Sequence, residues 1–427
     1  MYKVLIFPGG TEIGLEINQA LHLCPEIQLF SAGIDTSNHA PYVFKNHFII
    51  PSIYTNNWIE KLNEIIAQYA IDYIFPAYDD VIVALAKNAE KLRAKIISSP
   101  LETCLVTRSK LKTYKLLTGI IPVPNIYDYS HQINSYPVFI KPEAGQGSQR
   151  AVLVENKASL DHLLQKHQDY IITEYLPGEE YTIDCFSDRE QGLIFCHARQ
   201  RIRIKNGISM NCCFVSHKDD IIFAEYANKI CQKIDFYGAW FFQLKKDCYG
   251  VLKLLEIAPR IAGTMALNRV LGVNFPLLSL YEQERISIEI LFNKTHVEID
   301  RALVNRYSHK IDYKTVYLEL DNTLIVENKI NPQLIKFIYQ CINADIELIL
   351  LTKHQSDLQT TLKKYRLAGV FDKIIPLAEA AKKSDHITDD KAILIDADIR
   401  ERQEVFSKLG ILTFDCSMIE MLLDERS

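Results

Sequence analysis

Short apolar runs alternate with segments of helical spacing over the first hundred residues. The run VLIF at residues 4–7 precedes a stretch in which Ile13, Ile17 and Leu21 recur on one helical face. IQLFSAGI and YIFPAYDDVIVALA continue the pattern, with a helix predicted between them near residues 57–70. Because strands that alternate with helices form parallel sheets, residues 1–104 are predicted to be a Rossmann-like α/β domain.

A different pattern starts near residue 105. The basic helical segment TRSKLKTYKLL is followed by strand-like runs separated by glycine and proline turns. Residues 105–295 are therefore predicted to form an α+β domain. The polar stretch 296–313 is predicted as a linker, and KTVYLELDNTLIV opens a further α/β pattern over residues 314–427. The predicted fold class is a multidomain protein with α/β and α+β parts.

The segment WFFQLKKDCYGVLKLLEIAPR, residues 240–260, predicts two strands joined by a tight turn. Such a hairpin brings Gln243 beside Glu256. A carboxylate at the end of so apolar a strand is costly to desolvate unless it meets a cation, and Mg²⁺ (or Mn²⁺) binds carboxylate, carbonyl and phosphate oxygens together. Arg260 would then face the group that reacts with the metal-bound phosphate. The alternative is a buried structural ion pair between Glu256 and Arg260.

Two glycine-containing turns are candidates for contact with phosphate. Lys141 ends an apolar strand and precedes a loop with Gly145 and Gly147, whose amides can close over phosphate oxygens. This loop leads into a strand, and the chain has no GxxxxGK[ST], so it is not a Walker loop. The turn GGTEIG, residues 9–14, either approaches a nucleotide or only allows close packing of helix on strand.

Several charged side chains have two interpretations each. Asp79 and Asp80 follow a predicted strand and would either contact substrate or cap the next helix, and capping is the favoured interpretation. Glu174 and Glu180 would bind the adenine amino group and the ribose hydroxyls, or lie on the surface of a hairpin. Three arginines at alternate positions share one predicted strand face, which is either solvated or bound to an anionic substrate: Arg199, Arg201 and Arg203.

Composition narrows the class of protein. The net charge is −5 and no basic tract occurs, which argues against nucleic acid as a partner. No apolar run approaches the roughly 20 residues that span a bilayer, and MYKVLIF leads into a glycine turn without a signal peptide. The ten cysteines lack CxxC spacing, which is typical of reduced thiols. We therefore expect a cytoplasmic protein with small-molecule partners and no membrane.

Taken in order, these motifs resemble the ATP-grasp superfamily, specifically the group similar to the large subunit of carbamoyl-phosphate synthase. The resemblance runs to about residue 290 and rests on VLIFPGGTEIG, FIKPEAGQGS, TEYLPGEEYTID and LEIAPRIAG. It implies ATP between two α+β lobes, Mg²⁺ on Gln243 and Glu256, and Arg260 and Arg203 as catalytic residues. The family commonly has Asn where this chain has Ala258, which puts a second metal ion in question. The nucleotide contacts implied by the resemblance are Lys110, Lys141, Gly145, Gly147, Ser148, Glu174, Tyr175, Leu176 and Glu180.

The activity that this resemblance implies is ATP-dependent ligation of a small-molecule carboxylate to an amine through an acyl phosphate. A flap around Gly145–Ser148 would exclude water from that intermediate. One alternative is an ATP-dependent kinase that stops at a phosphorylated product. Another is a nucleotide-sensing protein whose sites have decayed. The sequence identifies neither the acid nor the amine, and it is compatible with a homodimer.

KTVYLELDNTLIV resembles the first motif of the haloacid-dehalogenase (HAD) superfamily, a strand ending in Asp-x-Asp-x-Thr. Glu319 stands at the nucleophile position, where the added methylene displaces the attacking oxygen by about 1 Å, and Ala397 interrupts the last acidic motif. We expect a Rossmannoid domain with a scaffolding or regulatory role. The alternative is a Mg²⁺ phosphohydrolase that acts on a ligase product. The HAD-like site implied by the resemblance comprises Glu319, Asp321, Thr323, Thr352, Lys383 (or Lys382) and Asp396.

Overall fold

The computed structural model describes residues 1–128, 132–145, 147, 149–215, 220–293 and 295–426. Within these residues the chain forms two compact units, residues 1–303 (unit 1) and residues 304–426 (unit 2). The described part of unit 1 contains three sheets, and that of unit 2 contains a five-stranded sheet and a two-stranded ribbon. Across these ranges, no helix combines the length and the apolar character needed to cross a membrane.

The first hundred residues form a parallel sheet with helices between the strands, as the alternating pattern predicts. The elements are β1 (Tyr2–Phe7), α1 (Glu12–Leu21), β2 (Ile27–Gly33), β3 (His47–Ile49), α2 (Trp58–Tyr69), β4 (Tyr73–Pro76), α3 (Asp79–Lys87) and β5 (Lys95–Ile96). The strand order is β3-β2-β1-β4-β5. Val4 and Ile6 of β1 pack in one apolar core and Leu5 and Phe7 in another. Because both faces of the sheet are buried, the sequences of these strands are continuous apolar runs.

Close packing accounts for the first glycine turn. A Cβ atom at Gly14 would lie 2.7 Å from the carbonyl oxygens of Gly9 and Pro8. A Cβ at Gly9 would lie 2.5 Å from the Cβ of Ser31. Any larger residue would push α1 away from the sheet, so the packing interpretation of the GGTEIG turn is confirmed.

The next part of unit 1 begins with two helices and a small antiparallel sheet. Its elements are α4 (Leu101–Arg108), α5 (Lys110–Leu117), β6 (Ile126–Tyr127), β7 (Val138–Pro142), β8 (Val152–Val154), α6 (Lys157–Lys166) and β9 (Tyr170–Glu174). The strand order is β6-β9-β7-β8. This sheet carries Lys141 near the end of β7 and Glu174 at the end of β9.

A larger antiparallel sheet completes unit 1. Its elements are β10 (Glu180–Asp188), β11 (Gly192–Lys205), β12 (Ile208–Phe214), α7 (Asp220–Cys231), β13 (Gly238–Lys246), β14 (Leu252–Ala258), α8 (Ala266–Arg269), α9 (Phe275–Gln283) and β15 (Glu298–Asp300). The strand order is β14-β13-β10-β11-β12-β15. Strand β15 pairs with β12 and lies within the stretch that the sequence predicts as a linker.

Unit 2 is built on a parallel sheet. Its elements are β16 (Thr315–Leu318), β17 (Ile325–Val326), β18 (Lys329–Ile330), α10 (Pro332–Asn343), β19 (Glu347–Thr352), α11 (Leu358–Lys364), β20 (Lys373–Pro376), β21 (Ala392–Ile395), α12 (Ile399–Leu409) and β22 (Leu412–Phe414). The five-stranded sheet has the order β20-β19-β16-β21-β22. Because β19, β16 and β21 are neighbours and parallel, their carboxyl ends bring Thr352, Glu319 and Asp396 to one edge of the sheet.

Candidate active site

Strands β13 and β14 pair so that Gln243 lies directly opposite Glu256, as the hairpin predicts. The Nζ atom of Lys110 is 3.8 Å from the Glu256 carboxylate. The Oε1 atom of Gln243 accepts a hydrogen bond of 3.0 Å from Arg201. The amide oxygen, the carboxylate and two cationic side chains therefore converge at this end of the hairpin.

A single cavity in unit 1 collects the side chains that the sequence predicts for nucleotide and metal. They come from α5, from both antiparallel sheets and from the loop after β7, so the cavity is a cleft between separate elements. Ser148, which belongs to the same prediction, lies outside the described residues. The predicted residues that line the cavity are Lys110, Lys141, Gly145, Gly147, Glu174, Tyr175, Leu176, Glu180, Gln243 and Glu256.

Two positively charged lysine side chains lie close together at one end of this cleft. Lys110 donates a hydrogen bond of 2.9 Å to the carbonyl of Gly145. Lys141 is buried and donates a hydrogen bond of 2.7 Å to the hydroxyl of Tyr114. Burial, and then the charge of Lys110, lowers the pKa of Lys141 to about 7 despite the attraction of Glu256. Cations held together in this way suit an anionic ligand such as a phosphate chain.

Tyr114 is a site residue that the sequence analysis missed. Its hydroxyl donates to the carbonyl of Leu255 at 2.6 Å while it accepts from Lys141. It connects α5 to β14 and fixes the position of the lysine. The signal available in the sequence was its spacing, because Tyr114 lies four residues after Lys110 on one helix face.

Glu174 and Glu180 point into the cleft and are not on an exposed hairpin surface. Glu174 accepts from the backbone N–H of Asn125 at 2.7 Å and forms an ion pair with Lys253. Glu180 forms an ion pair with Arg201 and lies 3.4 Å from the Nζ of Lys245. Only 19% and 13% of the two glutamate side chains are exposed. The surface interpretation was wrong for both residues.

The three arginines of β11 do not share a common anion-binding face. Arg199 is buried and its Nε atom donates to Asp184 at 2.7 Å. Arg201 lines the cleft, whereas Arg203 pairs with Asp300 and has 56% of its side chain exposed. The register of β11 against β12 shifts between Arg201 and Arg203. Such a bulge changes the direction of the side chain that follows it, here Arg203. The structure therefore places Arg203, predicted as catalytic, outside the cleft and Arg201 inside it.

Asp79 and Asp80 do not cap the helix that they begin, so the favoured interpretation was wrong. Tyr78 is the N-cap residue of α3 and makes no side-chain capping bond. Asp79 forms an ion pair with Arg260, and Asp80 forms one with Arg108 at 2.7 Å. Burial alone would raise the pKa of Asp79, but Arg260, Arg108 and Lys110 together outweigh burial, and the pKa lies below its ordinary value.

Arg260 is therefore not bonded to Glu256, and the predicted alternative of a structural ion pair between these two residues is wrong. Its guanidinium pairs with Asp79 and lies 5.1 Å from the ring centre of Phe241. A second, smaller cavity is lined by Asp79 and Arg108 and shares Lys110 and Glu256 with the main cleft. This second cavity is small, about 20 Å³, and adjoins the main cleft at the side chains of Lys110 and Glu256.

In unit 2, residues predicted for a HAD-like site meet at the sheet edge. Lys383 is buried and contacts both Glu319 and Asp396. It is therefore Lys383, and not Lys382, that enters the cluster. The hydroxyl of Thr323 accepts a hydrogen bond of 2.9 Å from the backbone N–H of Ala397.

Asp321 lies outside this buried cluster. Its carboxylate is 2.9 Å from the Nδ1 atom of His354, a residue that the sequence analysis did not select. Asp321 has 47% of its side chain exposed, in contrast to the buried Lys383 and Asp396. Glu319 and Asp321, which are both predicted for the HAD-like site, are thus in different environments, because Glu319 is buried.

Solved structures with the same fold include three enzymes of low sequence identity. N5-carboxyaminoimidazole synthetase from Staphylococcus aureus, complexed with ADP, is 17% identical over 68% of this chain and 80% of its own, with a TM-score of 0.56. The biotin carboxylase–β,γ-ATP complex from Campylobacter jejuni is 15% identical over 68% and 73%, with a TM-score of 0.56. L-amino acid ligase from Bacillus licheniformis is 17% identical over 66% and 73%, with a TM-score of 0.51. These similarities define an ATP-grasp fold.

Two family profiles match parts of unit 1. Residues 166–300 match the family described as ATP-grasp in the biosynthetic pathway with Ter operon. Residues 10–98 match the PylC-like N-terminal domain. The chain therefore contains an ATP-grasp domain that follows a PylC-like N-terminal domain. A search of curated proteins gave no match. Both family matches lie within unit 1, so the HAD-like character of unit 2 stays a prediction.

Proposed function

We propose that unit 1 is an ATP- and Mg²⁺-dependent ligase that joins a carboxylate to an amine through an acyl phosphate. The observation that carries this proposal is the single cleft in which Lys110 and Lys141 lie beside the paired Gln243 and Glu256. The ATP-grasp fold supports it, as do the nucleotide complexes of the Staphylococcus and Campylobacter enzymes.

The nucleotide would lie along this cleft. Lys110 and Lys141 would hold the phosphate oxygens. An anionic ligand would offset the burial and the repulsion by Lys110 that lower the pKa of Lys141. The backbone of Tyr175 and Leu176 would face the edge of the adenine ring. Glu180 would exchange part of its contact with the neighbouring arginine for the ribose hydroxyls. These roles assign one end of the cleft to the base and the other to the phosphates.

The residues present fit one divalent cation. Gln243 supplies a neutral oxygen and Glu256 a carboxylate, which are ligands that Mg²⁺ accepts together with phosphate oxygens. Ala258, two residues after Glu256, has no side-chain oxygen to offer. When bound, the cation neutralises charge on the phosphates. We therefore propose one tightly held metal ion on the protein side of the cleft.

Arg201 replaces Arg203 in the proposed catalytic role. Its Nη1 atom contacts Gln243 and Glu180, while its Nε atom is buried and has no partner among the described residues. A buried donor without a partner is costly unless a ligand satisfies it. We assign this donor to an oxygen of the phosphoryl group that is transferred.

The proposed reaction takes place in two steps. A carboxylate oxygen of the first substrate attacks the γ-phosphorus, the bond from that phosphorus to the ADP oxygen breaks, and ADP leaves. The nitrogen of the amine then attacks the acyl carbon, phosphate leaves with the C–O bonding electrons, and the nitrogen loses a proton. The loop with Gly145 and Gly147 would exclude water, which would otherwise hydrolyse the acyl phosphate.

The ion pair between Asp79 and Arg260 suggests the class of one substrate. A plain carboxylate that bound Arg260 would displace Asp79 and leave a buried carboxylate without its partner. A zwitterion avoids this cost, because its ammonium group can bind Asp79 while its carboxylate binds Arg260. We therefore propose an amino acid or a similar zwitterion as one of the two substrates.

An ADP-release assay tests the ligase. The full-length protein is incubated with Mg²⁺ and ATP, and with amino acids and sugar acids singly and in pairs. We expect one pair to stimulate ADP release above either partner alone, and the product mass to equal the sum of the two substrates minus water. Glu256→Gln is the matched control, because it removes the metal-binding charge and keeps the side-chain volume.

Other outcomes of this assay would contradict the proposal. A stable phosphorylated product that forms without an amine would identify a kinase. Nucleotide binding without turnover in the presence of any pair would identify a nucleotide sensor. For unit 2 we propose a HAD-like fold without phosphatase activity. Release of phosphate from a small phosphomonoester by the full chain would contradict that part.

A further inference from the structure

The junction between α4 and α5 holds the chain segment that follows β7. The backbone N–H of Lys110 donates to the carbonyl of Glu143 at 3.1 Å, and the hydroxyl of Ser109 donates to the Glu143 carboxylate. The carbonyl of Gly145 accepts hydrogen bonds of 2.9 Å from the Nζ atom of Lys110 and of 3.2 Å from the Nη1 atom of Arg108. Three consecutive residues of the junction therefore hold this segment beside the cleft.

Arg108 is itself anchored to the first α/β domain. Its Nε atom donates to an oxygen of Asp80 at 2.9 Å, and its Nη2 atom lies 2.7 Å from the same oxygen. Only 16% of the Arg108 side chain is exposed. Asp80 belongs to the first turn of α3 and, in the part of the chain that the structure describes, lines neither the main cleft nor the second cavity. The guanidinium of Arg108 therefore bridges a carboxylate outside the cleft to the carbonyl of Gly145.

The shared carbonyl gives this bridge a role when nucleotide binds. In the proposed function Lys110 holds phosphate oxygens, and its ammonium group would then turn from the carbonyl of Gly145 toward the nucleotide. A half-buried carbonyl that loses its donor is destabilised. Arg108 supplies a second donor to the same oxygen, because a planar guanidinium can hold a carboxylate and a carbonyl at once. The segment after β7 can therefore keep its position while Lys110 moves.

We propose that Asp80 is a positioning residue for the nucleotide, which acts through Arg108 to hold the carbonyl of Gly145 in place and free Lys110 for the phosphates. This inference rests on the proposed function, which assigns the phosphates to Lys110. The sign of the effect separates positioning from simple electrostatics. Removal of a negative charge near the cleft would strengthen the binding of an anion, whereas loss of the bridge weakens it.

Calorimetric titration of the full-length protein with the Mg²⁺ complex of a non-hydrolysable ATP analogue tests the inference. We expect Asp80→Asn to weaken binding by about tenfold. Arg108→Lys keeps the charge but loses the planar fork, and it should weaken binding to a similar extent. The double variant should bind no more weakly than either single variant, because both substitutions break the same bridge. Asp80→Glu keeps the carboxylate and should bind within about threefold of the native protein.

Tyr54→Phe is the matched control. The hydroxyl of the exposed Tyr54 donates to the other oxygen of Asp80 at 3.1 Å, so this substitution removes a contact of the same carboxylate and leaves the bridge intact. Its nucleotide affinity should stay within about twofold of the native value. Hydrogen–deuterium exchange without nucleotide gives a second readout. Peptides that contain residues 143–145 should exchange faster in Asp80→Asn and Arg108→Lys than in the native protein or in Tyr54→Phe.

Thermal unfolding shows whether each variant is folded, and Arg108→Lys carries the test if Asp80→Asn is not. Unchanged or tighter nucleotide binding by folded Asp80→Asn would overturn this inference alone, as would additive losses in the double variant. A native protein that binds no analogue would overturn the proposed function and this inference together. The two failures are therefore distinguished by whether the native protein binds nucleotide.

Discussion

We predict that Lys141 takes up a proton when nucleotide binds in the cleft. The pKa of this lysine is about 7 because burial and Lys110 both disfavour its charged form. The other groups that face it are Tyr114 and Glu256, with Glu180 farther along the cleft. A triphosphate placed next to Lys141 favours the ammonium form and raises its pKa. Binding of nucleotide must then be accompanied by binding of protons, and affinity must fall as the pH rises through 7.

The size of this effect follows from the pKa. With a pKa of about 7, about half of the Lys141 side chains are charged at pH 7 and about a tenth at pH 8. If all are charged in the complex, the affinity falls by about fivefold between these two pH values, or about 1 kcal/mol. Proton uptake rises from about 0.5 to about 0.9 per nucleotide. Ionisation of the terminal phosphate, with a pKa near 6, would make the affinity rise with pH. It is nearly complete above pH 7, so it offsets little of the predicted decrease.

Isothermal titration calorimetry measures both quantities. The protein is titrated with the Mg²⁺ complex of a non-hydrolysable ATP analogue at pH 7 and pH 8, in two buffers of different ionisation enthalpy. Lys141→Arg is the control, because a guanidinium stays charged at both pH values and should abolish the proton uptake. Equal native affinities at the two pH values, or the same pH dependence in Lys141→Arg, would refute the reasoning.

Three further predictions concern single side chains. Glu256→Gln should lower Mg²⁺-dependent ADP release by about 100-fold or more, measured at saturating ATP over a series of Mg²⁺ concentrations. Arg201→Gln should lower kcat/KM for ATP by about 100-fold, because it removes a donor inside the cleft, whereas Arg203→Gln should stay within about twofold. An equal loss in the two arginine variants would contradict the assignment. Asp184→Asn should lower the free energy of unfolding by about 3–5 kcal/mol in urea denaturation, because it leaves a buried guanidinium without its partner. Asp300→Asn, at an exposed ion pair, should change it by less than about 1 kcal/mol, and equal effects of the two substitutions would count against a structural role for the buried pair.

Local spacing along the chain is enough to predict that Gln243 and Glu256 lie close together. The turn between β13 and β14 determines their antiparallel pairing, and a register shift between Gln243 and Leu244 then places Gln243 directly opposite Glu256. Lys141 and the glycines after β7 are likewise neighbours in sequence and in space. The order of these motifs predicts the ATP-grasp fold, because each motif belongs to a different strand or helix of one cleft.

Contacts between distant parts of the chain were decided only by the tertiary structure. Arg260 and Asp79 are separated by 181 positions, and their pairing depends on how the parallel sheet packs against β14. A bulge in β11 turns Arg203 away from the cleft, and strict alternation along a strand cannot reveal such a bulge. The sequence predicts that Glu319 is a defective nucleophile. The fold places hydrogen-bond donors from Thr352 and Lys383 around its carboxylate. The sequence by itself determined which neighbouring strands pair and which residue types lie close to each turn. Ion pairs and hydrogen bonds between distant segments could be identified only from the tertiary structure, because the packing of the elements, and not spacing along the chain, brings their partners together.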